Sequence, residues 1–232
     1  MHSLARYSAA SLAVLASLDL AGLGVAGIGL VWPQAAAARE AGVAAAVNAD
    51  SLTRPPTEIE RTLIVGHNVV FDEKITTGPT GQAQILMLDQ SAVTISPNSE
   101  VVIDKFVYDP DKKTGEMALS LSRGLMRFVG GRLSKNGAVS IRTPVATMGI
   151  RGGIVLIHVI SPTVVDVTLL YGDGVTGTTN KGQSFSLRRN GYSTRIETNK
   201  GAGPPQPAGS AAVGRSMAQL EGRARDSAGA KE

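Results

Sequence analysis

The sequence contains no cysteine among its 232 residues. The folded protein therefore has no disulfide bond, no thiolate ligand for a metal ion and no cysteine that can carry a lipid. Its stability must come from packing, which a domain of ordinary size can supply through a full hydrophobic core.

Histidine, aromatic residues and net charge are also scarce, with three histidines, 4% aromatic residues and a formal charge of +4. His67 and His158 are separated by nearly the whole domain, and no paired-histidine spacing supports a metal site. His158 lies in an apolar run, which favours a core or edge position. The basic residues are scattered rather than clustered. We therefore expect no catalytic residues, no cofactor, no metal ion and no nucleic-acid partner.

The first 38 residues have the pattern of a signal peptide. The stretch from Ala9 to Trp32 is almost entirely Ala, Leu, Gly and Val, and Ala36 and Ala38 offer small side chains to a peptidase. This pattern predicts export to the periplasm or the medium. The alternative is an uncleaved membrane anchor, although Asp19 interrupts the apolar run and would be costly at the bilayer centre.

Composition divides the rest of the chain into three parts. Residues 39–60 mix Ala, Asn and Ser before Pro55 and Pro56, and we interpret them as a linker. Residues 61–197 contain short β-branched runs separated by turn residues, which predicts the folded domain. Residues 198–232 are rich in Gly, Pro, Ala and charge, so we expect a disordered tail. The alternative for residues 217–220 is a turn of helix against a partner.

Alternating hydrophobicity within residues 61–197 predicts an all-β fold. Met117, Leu119 and Leu121 share one strand face, while the residues between them are small or polar. The run 154–160 is apolar on both faces except at His158, which indicates a central strand. Many short strands with close turns fit a sandwich, a barrel or a solenoid. Among these we favour one domain with a β-solenoid-like or β-roll arrangement and disordered termini.

Several short motifs follow one another in a fixed order within this domain. Residues 96–100 read Ser-Pro-Asn-Ser-Glu, residues 104–110 read Asp-Lys-Phe-Val-Tyr-Asp-Pro, and residues 143–152 read Thr-Pro-Val-Ala-Thr-Met-Gly-Ile-Arg-Gly. Turn motifs at 78–83 and 88–91 and a glycine-bounded strand at 124–131 accompany them. Together, over roughly residues 65–196, they resemble the FecR domain family.

This resemblance implies a role in the bacterial cell envelope. Members similar to the founding type cross the inner membrane once and pass a signal from an outer-membrane iron transporter to a sigma factor. That activity requires a cytoplasmic domain, and only a few residues precede the apolar segment of this chain. We therefore expect a stand-alone exported domain that makes no direct contact with a sigma factor.

The motif residues suggest architecture rather than chemistry. Prolines fix φ at corners and glycines permit special backbone angles or close approaches. Arg151 is a candidate ion-pair partner of Asp104. Gln90 and Gly153 depart from the family pattern, in which a small turn residue and a hydroxyl residue are usual. The motif residues that we interpret as structural are Pro97, Asn98, Asp104, Tyr108, Asp109, Pro110, Pro144, Gly149, Arg151 and Gly152.

Two further patterns have alternative interpretations. Residues 109–115 superficially resemble a calcium loop, but Lys113 occupies a ligand position, so we expect an Asp-Pro turn. Phe106, Tyr108 and Phe128 fit core packing better than an exposed aromatic patch.

The leading functional hypothesis is a non-enzymatic exported domain that binds another envelope component through its surface or a sheet edge, in protein interaction or signalling. The second is an envelope sensor or carrier of a glycan, a peptidoglycan fragment or a ferric chelate. The third is a hydrolase that uses Asp104 or Asp109.

Overall fold

The computed structural model describes residues 40–48 and 50–221. The predicted signal peptide, residues 1–38, lies outside the described residues. No helix in the described part is both long enough and apolar enough to cross a bilayer.

Eighteen strands and two short helices form the described part of the chain. The strands are β1 (Glu40–Val47), β2 (Ser51–Arg54), β3 (Arg61–Thr62), β4 (Asn68–Val70), β5 (Lys74–Thr77), β6 (Ala83–Met87), β7 (Ala92–Ile95), β8 (Glu100–Asp109), β9 (Thr114–Val129), β10 (Val139–Arg142), β11 (Ala146–Arg151), β12 (Ile154–Ser161), β13 (Val164–Tyr171), β14 (Gly174–Thr179), β15 (Ser184–Leu187), β16 (Tyr192–Glu197), β17 (Gly201–Ala202) and β18 (Gln206–Pro207). The helices are α1 (Arg132–Lys135) and α2 (Ser210–Glu221). The predicted all-β class is therefore confirmed.

The strands form two sheets that share one strand. Sheet A has the order β4-β1-β6-β7-β9-β12-β13-β16, with β17 and β18 paired to the far side of β16. Sheet B has the order β3-β2-β5-β8-β9-β10-β11-β14-β15. All of these pairs are antiparallel except β9 with β10.

The shared strand β9 changes sheets at Gly124. Its first half pairs with β8 and β10 in sheet B, and its second half pairs with β7 and β12 in sheet A. Gly124 has φ +85°, and a Cβ there would lie 2.0 Å from the hydroxyl oxygen of Ser99. The crossover between the sheets therefore requires glycine at this position.

One hydrophobic core lies between the two sheets. Ile75, Ile103 and Leu119 of sheet B face Ile85 and Val93 of sheet A, and all five are at most 2% exposed. In sheet B these inward residues alternate with outward polar residues such as Lys74, Thr76 and Ser120, as the sequence pattern predicted.

The linker predicted for residues 39–60 is wrong. β1 lies between β4 and β6, and it buries Ala41 and Ala44 in the core. In β2, the buried Thr53 hydroxyl donates a hydrogen bond to the buried carboxylate of Glu73. Both strands are thus integral to the domain, and Gly42 of β1 lies where the backbone of β6 approaches closely.

The disordered tail predicted for residues 198–232 is wrong between Gly201 and Glu221. β17 and β18 extend sheet A beyond β16, and α2 packs on the outer face of that sheet. The segment gains order because α2 covers apolar side chains of the sheet. Residues 222–232 lie outside the described part.

Candidate functional site on the outer face of sheet A

Helix α2 packs on the outer face of sheet A through a narrow apolar stripe. Val213, Met217 and Leu220 recur at the i, i+4, i+7 spacing of one helix face. They contact an apolar cluster on the sheet, which we call the leucine face and which consists of Leu125, Leu156 and Leu170. Of the helix residues, only Leu220 is fully buried, at 1% exposure.

These few contacts hold a helix that has little stability of its own. A helix of 12 residues is marginal in water, and Gly214 in its interior costs about 1 kcal/mol relative to alanine. Burial of the Leu220 side chain contributes about 1.5–3 kcal/mol. The helical state of α2 therefore depends on its contact with the sheet.

A polar cleft of about 370 Å³ runs along one side of α2. Its sheet wall includes His158, Asp166 and Arg195, which occupy neighbouring positions on β12, β13 and β16. The guanidinium of Arg195 donates two hydrogen bonds of 2.8 Å to the carboxylate of Asp166. The hydrogen bonds that Arg195 donates to Asp166 raise the pKa of Arg195 above its usual value.

The imidazole of His158 is half-buried in this cleft. Burial lowers its pKa below 6.5, the nearby Asp166 carboxylate opposes that shift, and Arg195 adds to it. His158 is therefore neutral at neutral pH, and it offers one donor and one acceptor to the cleft. The hydroxyls of Thr168 and Ser193 lie on the same wall.

A second cleft, of about 540 Å³, lies at the C-terminal end of α2. Ala218 and Gln219 form the helix side of this cleft. The other side consists of Asn48, Pro79, Thr80, Gln82 and Pro97. Pro97 belongs to the motif at 96–100, so one predicted motif residue borders the candidate site.

An apolar row crosses the same outer face outside the area that α2 covers. Its six members are paired in register on six successive strands: Val43, Leu86, Ala92, Val129, Ile154 and Tyr171. The side chains of Leu86 and Tyr171 are 45% and 66% exposed, and the other four are partly exposed. The outer face of sheet A therefore combines an exposed apolar row, a helix-covered leucine face and two clefts.

The motif at residues 96–100 forms a buried corner. The Thr77 hydroxyl donates a 2.6 Å hydrogen bond to the Ser96 carbonyl oxygen and accepts one of 2.9 Å from the Ser99 backbone N–H. The Ser99 hydroxyl in turn accepts a hydrogen bond from the Leu125 N–H. Asn98 has φ +56°, an angle that asparagine tolerates better than most residues.

The motif at residues 88–91 forms a hairpin stabilised by a buried carboxylate. Asp89 accepts hydrogen bonds from the Ser91 N–H, the Ser91 hydroxyl and the Leu133 N–H, at 3.0, 2.8 and 3.1 Å. Gln90 has φ +70° at the tip, which explains why a small or glycine-like residue is usual there. This bonding connects the β6–β7 hairpin to α1.

The motif at residues 143–152 forms the β10–β11 hairpin. At its corner, the Pro144 carbonyl oxygen accepts a 2.6 Å hydrogen bond from the Asn180 side chain. The predicted need for glycine holds at Gly152, with φ +62°, but not at Gly149. Gly149 lies within β11 at negative φ, and an added Cβ would make only ordinary contacts of 3.8 Å.

Gly153, which departs from the family pattern, has a clear structural reason. It has φ +89°, and a Cβ there would lie 1.9 Å from the carbonyl oxygen of Tyr171. A hydroxyl side chain would meet the same obstruction at this position.

The predicted pairing of Arg151 with Asp104 is wrong. Asp104 accepts a 2.6 Å hydrogen bond from the Ser120 hydroxyl on the neighbouring strand. Arg151 is exposed at the end of β11 and forms no ion pair within residues 40–48 and 50–221. The pairing was wrong because the sequence alone does not specify which strands lie between Arg151 and Asp104.

The motif at residues 104–110 ends in a tight turn. The carboxylate of Asp109 accepts 3.0 Å hydrogen bonds from the N–H groups of Asp111 and Lys112. The backbone bond from Lys112 is the main reason why the pKa of Asp109 lies below its usual value. Pro110 is exposed in this turn, and Tyr108 packs against the ring of Phe106 with 6.4 Å between centroids. Asp109 thus stabilises a local turn, and Asp104 accepts a hydrogen bond from a neighbouring strand.

Most of the candidate site was missed by sequence reasoning. Asp166 and Arg195 lie on strand faces that alternation assigns to solvent, whereas Leu156 belongs to the run 154–160, which is apolar on both faces. The second apolar face of that run was the available signal, because it needs a covering element. No group of three or more potential metal ligands occurs in the described part of the chain.

The fold and the site together define an all-β domain of two sheets, in which a helix covers part of the outer face of sheet A. The family model described as FecR protein matches residues 73–173, which confirms the resemblance predicted from the motifs. The match supports a signalling or regulatory role connected with the cell envelope. No curated protein matches the sequence.

Two solved structures are similar in fold. Both are described as a candidate anti-sigma factor from Parabacteroides distasonis. They are 14% and 11% identical to this chain, with TM-scores of 0.49 and 0.48. Each similarity covers 62% of this chain, and 63% and 64% of the respective structures, so the chain spans less than two thirds of their length.

Proposed function

We propose that this protein is an exported, non-enzymatic FecR-type domain that binds another protein of the bacterial envelope through the outer face of sheet A. The FecR match supports the signalling context of this proposal. The signal-peptide pattern of residues 1–38 supports export.

The apolar row from Val43 to Tyr171 is the observation that carries the proposal. Exposed apolar groups that adjoin across several strands are typical of surfaces that bind a partner. Leu86 and Tyr171 lie within this row and are both well exposed. The next outward positions on β6 and β9 beside the row carry Gln84 and Arg127, so polar residues border it, as in interfaces with an apolar centre and a polar rim.

Site-specific photo-crosslinking in intact cells tests this function. A photoreactive amino acid replaces Leu86 or Tyr171, and a matched control replaces Val107, which is 42% exposed but lies in sheet B. We expect one discrete adduct with an envelope protein from the two sheet A positions and none from Val107. Absence of an adduct at both positions, or the same adduct at all three, contradicts the proposal.

Export is tested separately by cell fractionation and by mass spectrometry of the N-terminal peptide of the mature protein. We expect the protein in the periplasm or the medium with cleavage after Ala38. Retention of the protein in the cytoplasm contradicts this part of the proposal.

A second candidate function is an envelope sensor or carrier of a small polar ligand. The cleft beside α2 favours it, because His158, Thr168 and Ser193 present donors and acceptors next to the Asp166–Arg195 ion pair. Glycans, peptidoglycan fragments and ferric chelates are the ligand classes to screen by thermal shift. A shift that disappears in a Ser193→Trp variant, whose indole fills the cleft, would favour this function. If no ligand class raises the melting temperature, the sensor or carrier function is excluded.

A further inference from the structure

We propose that the leucine face is a receptor for an amphipathic helix of a partner protein, and that α2 is its intramolecular occupant. A partner helix with apolar side chains at the spacing of Val213, Met217 and Leu220 replaces α2 on sheet A. This inference rests on the proposed protein-binding function, for which it specifies the class of partner.

The chemistry of the leucine face requires an apolar occupant. Leu125 and Leu156 are nearly fully buried, at 0% and 4% exposure, and both lie on the outer side of sheet A under α2. If α2 leaves, these side chains meet water together with Leu170. A free face of this kind binds another apolar surface, and its contacts with α2 show that a helix fits there.

Helix α2 fills its receptor incompletely. Ala212 and Ser216 leave the polar cleft open on one side, and Ala218 leaves the second cleft open at the C-terminal end. A partner helix with larger side chains at the positions of Ala212 and Ala218 would fill both clefts. On the polar side, such a side chain would also reach Ser193 and the Asp166–Arg195 pair. A competing helix thus has contacts available that α2 does not make.

The connection to the sheet determines how strongly α2 competes. Only Ala208 and Gly209 separate β18 from α2, so the helix remains at a high effective concentration beside the leucine face. The apparent affinity of a partner helix equals its affinity for the open face multiplied by the fraction of molecules whose face is open.

Helix α2 begins 37 residues after the matched segment ends at residue 173, so it lies outside the FecR match.

The test uses the full chain and a fluorescent peptide that corresponds to residues 208–221. Leu220→Asp releases α2 from the face, whereas Ala211→Asp changes an exposed position on the opposite side of α2 and serves as the matched control. In fluorescence anisotropy we expect the peptide to bind the Leu220→Asp chain at least about tenfold more tightly than wild type or Ala211→Asp. A peptide carrying Ala212→Leu should bind several-fold more tightly still.

A receptor variant identifies the binding surface. Leu156→Asp, combined with Leu220→Asp, should abolish peptide binding, while far-ultraviolet circular dichroism confirms that the sheets are intact. If the double variant does not fold, Leu170→Ser replaces Leu156→Asp as the receptor change, with the same expected loss. Peptide affinity that is equal in wild type and Leu220→Asp, or that survives the receptor change, overturns the inference.

Three other results bear on this inference and on the proposed function. A wild-type dimer that the peptide dissociates would show that α2 exchanges between copies, which contradicts a heterologous partner helix. Failure of peptide binding combined with adducts at Leu86 and Tyr171 would leave the proposed function standing. Peptide binding without those adducts would support the receptor and contradict the envelope role.

Discussion

Asp89 illustrates how a single residue of the turn motif at 88–91 acts on stability. Its buried carboxylate accepts three hydrogen bonds that join the β6–β7 hairpin to α1. Asp89→Ala leaves these donors without a buried partner, and we expect a loss of about 3 kcal/mol in the free energy of unfolding. Asp173→Ala, at an exposed carboxylate, should change it by less than about 0.5 kcal/mol. Urea denaturation measures both, and similar values would contradict the structural role of Asp89.

Gly149 and Gly153 provide a matched test of where the backbone requires glycine. Gly153→Ala combines positive φ with a close approach to the Tyr171 carbonyl oxygen, so we expect a loss of about 3 kcal/mol. Gly149→Ala lies in a strand at ordinary φ, and it should stabilise by about 0.5 kcal/mol because alanine loses less backbone entropy. Melting temperatures check both changes. A large loss at Gly149 would restore the motif interpretation that the structure corrects.

His158 makes stability depend on pH. Its folded pKa lies below 6.5 because burial disfavours the charged form, so the unfolded chain binds a proton that the folded chain does not. Stability should therefore fall as pH falls from about 6.5 towards the folded pKa. His158→Gln should flatten this part of the profile. Urea midpoints at pH 7.5 and 5.5 provide the measurement, and an unchanged slope in the variant would contradict this assignment.

At the residue scale, the sequence predicted turns more accurately than ion pairs between strands. Asp109 forms the expected Asp-Pro turn, because its bonding partners lie within three residues. Arg151 and Asp104 were paired wrongly, because their separation depends on the order of strands between them. Local hydrogen bonds follow from local sequence, whereas ion pairs between strands require the register.

Helix α2 contacts the rest of the described protein through few apolar side chains, of which only Leu220 is buried. Leu220→Ala removes most of its buried apolar surface, so we expect its amide hydrogens to exchange at least about tenfold faster. The amides of β12 and β13 should exchange at the wild-type rate. Hydrogen exchange followed by mass spectrometry resolves the segments, with Ala211→Ser as the control. Faster exchange throughout sheet A would show that α2 is part of the global unfolding unit.

At the element scale, β1 and α2 escaped prediction for related reasons. β1 is built from Ala, Gly and Val, and its alternation is broken by a bulge between Ala44 and Ala46. Earlier in the same strand, glycine is required at position 42 because a Cβ would lie 2.4 Å from the Leu86 carbonyl oxygen. In α2 only three apolar residues mark the inner face. Both elements are defined by the surface that receives them, which their own sequences do not reveal.

The two sheets should unfold as a single unit because β9 belongs to both and one core lies between them. Phe128, fully buried in β9, is a suitable probe of that core. Phe128→Ala should reduce the free energy of unfolding by about 3–5 kcal/mol and keep one transition. Urea unfolding followed by circular dichroism, together with exchange in β13 and β14, measures this. Separate transitions for sheets A and B would contradict the prediction.

The fold class was the most predictable property of the whole molecule. Regular alternation, as in Met117, Leu119 and Leu121, depends only on burial of one strand face, and the structure preserves it. The arrangement into two sheets was not predictable, because alternation alone does not distinguish which strands are neighbours. The site on sheet A depends on that arrangement and was missed with it.

The place of β9 in both sheets also bears on the order in which the molecule can assemble. β7 and β8 are each paired on one side only until β9 is added. A folding intermediate in which β9 has not yet docked therefore presents an open edge in both sheets, which makes it prone to pairing with other chains. Docking of this single strand of sixteen residues covers both of these edges. Aggregation during refolding should therefore depend on how soon β9 joins the two sheets.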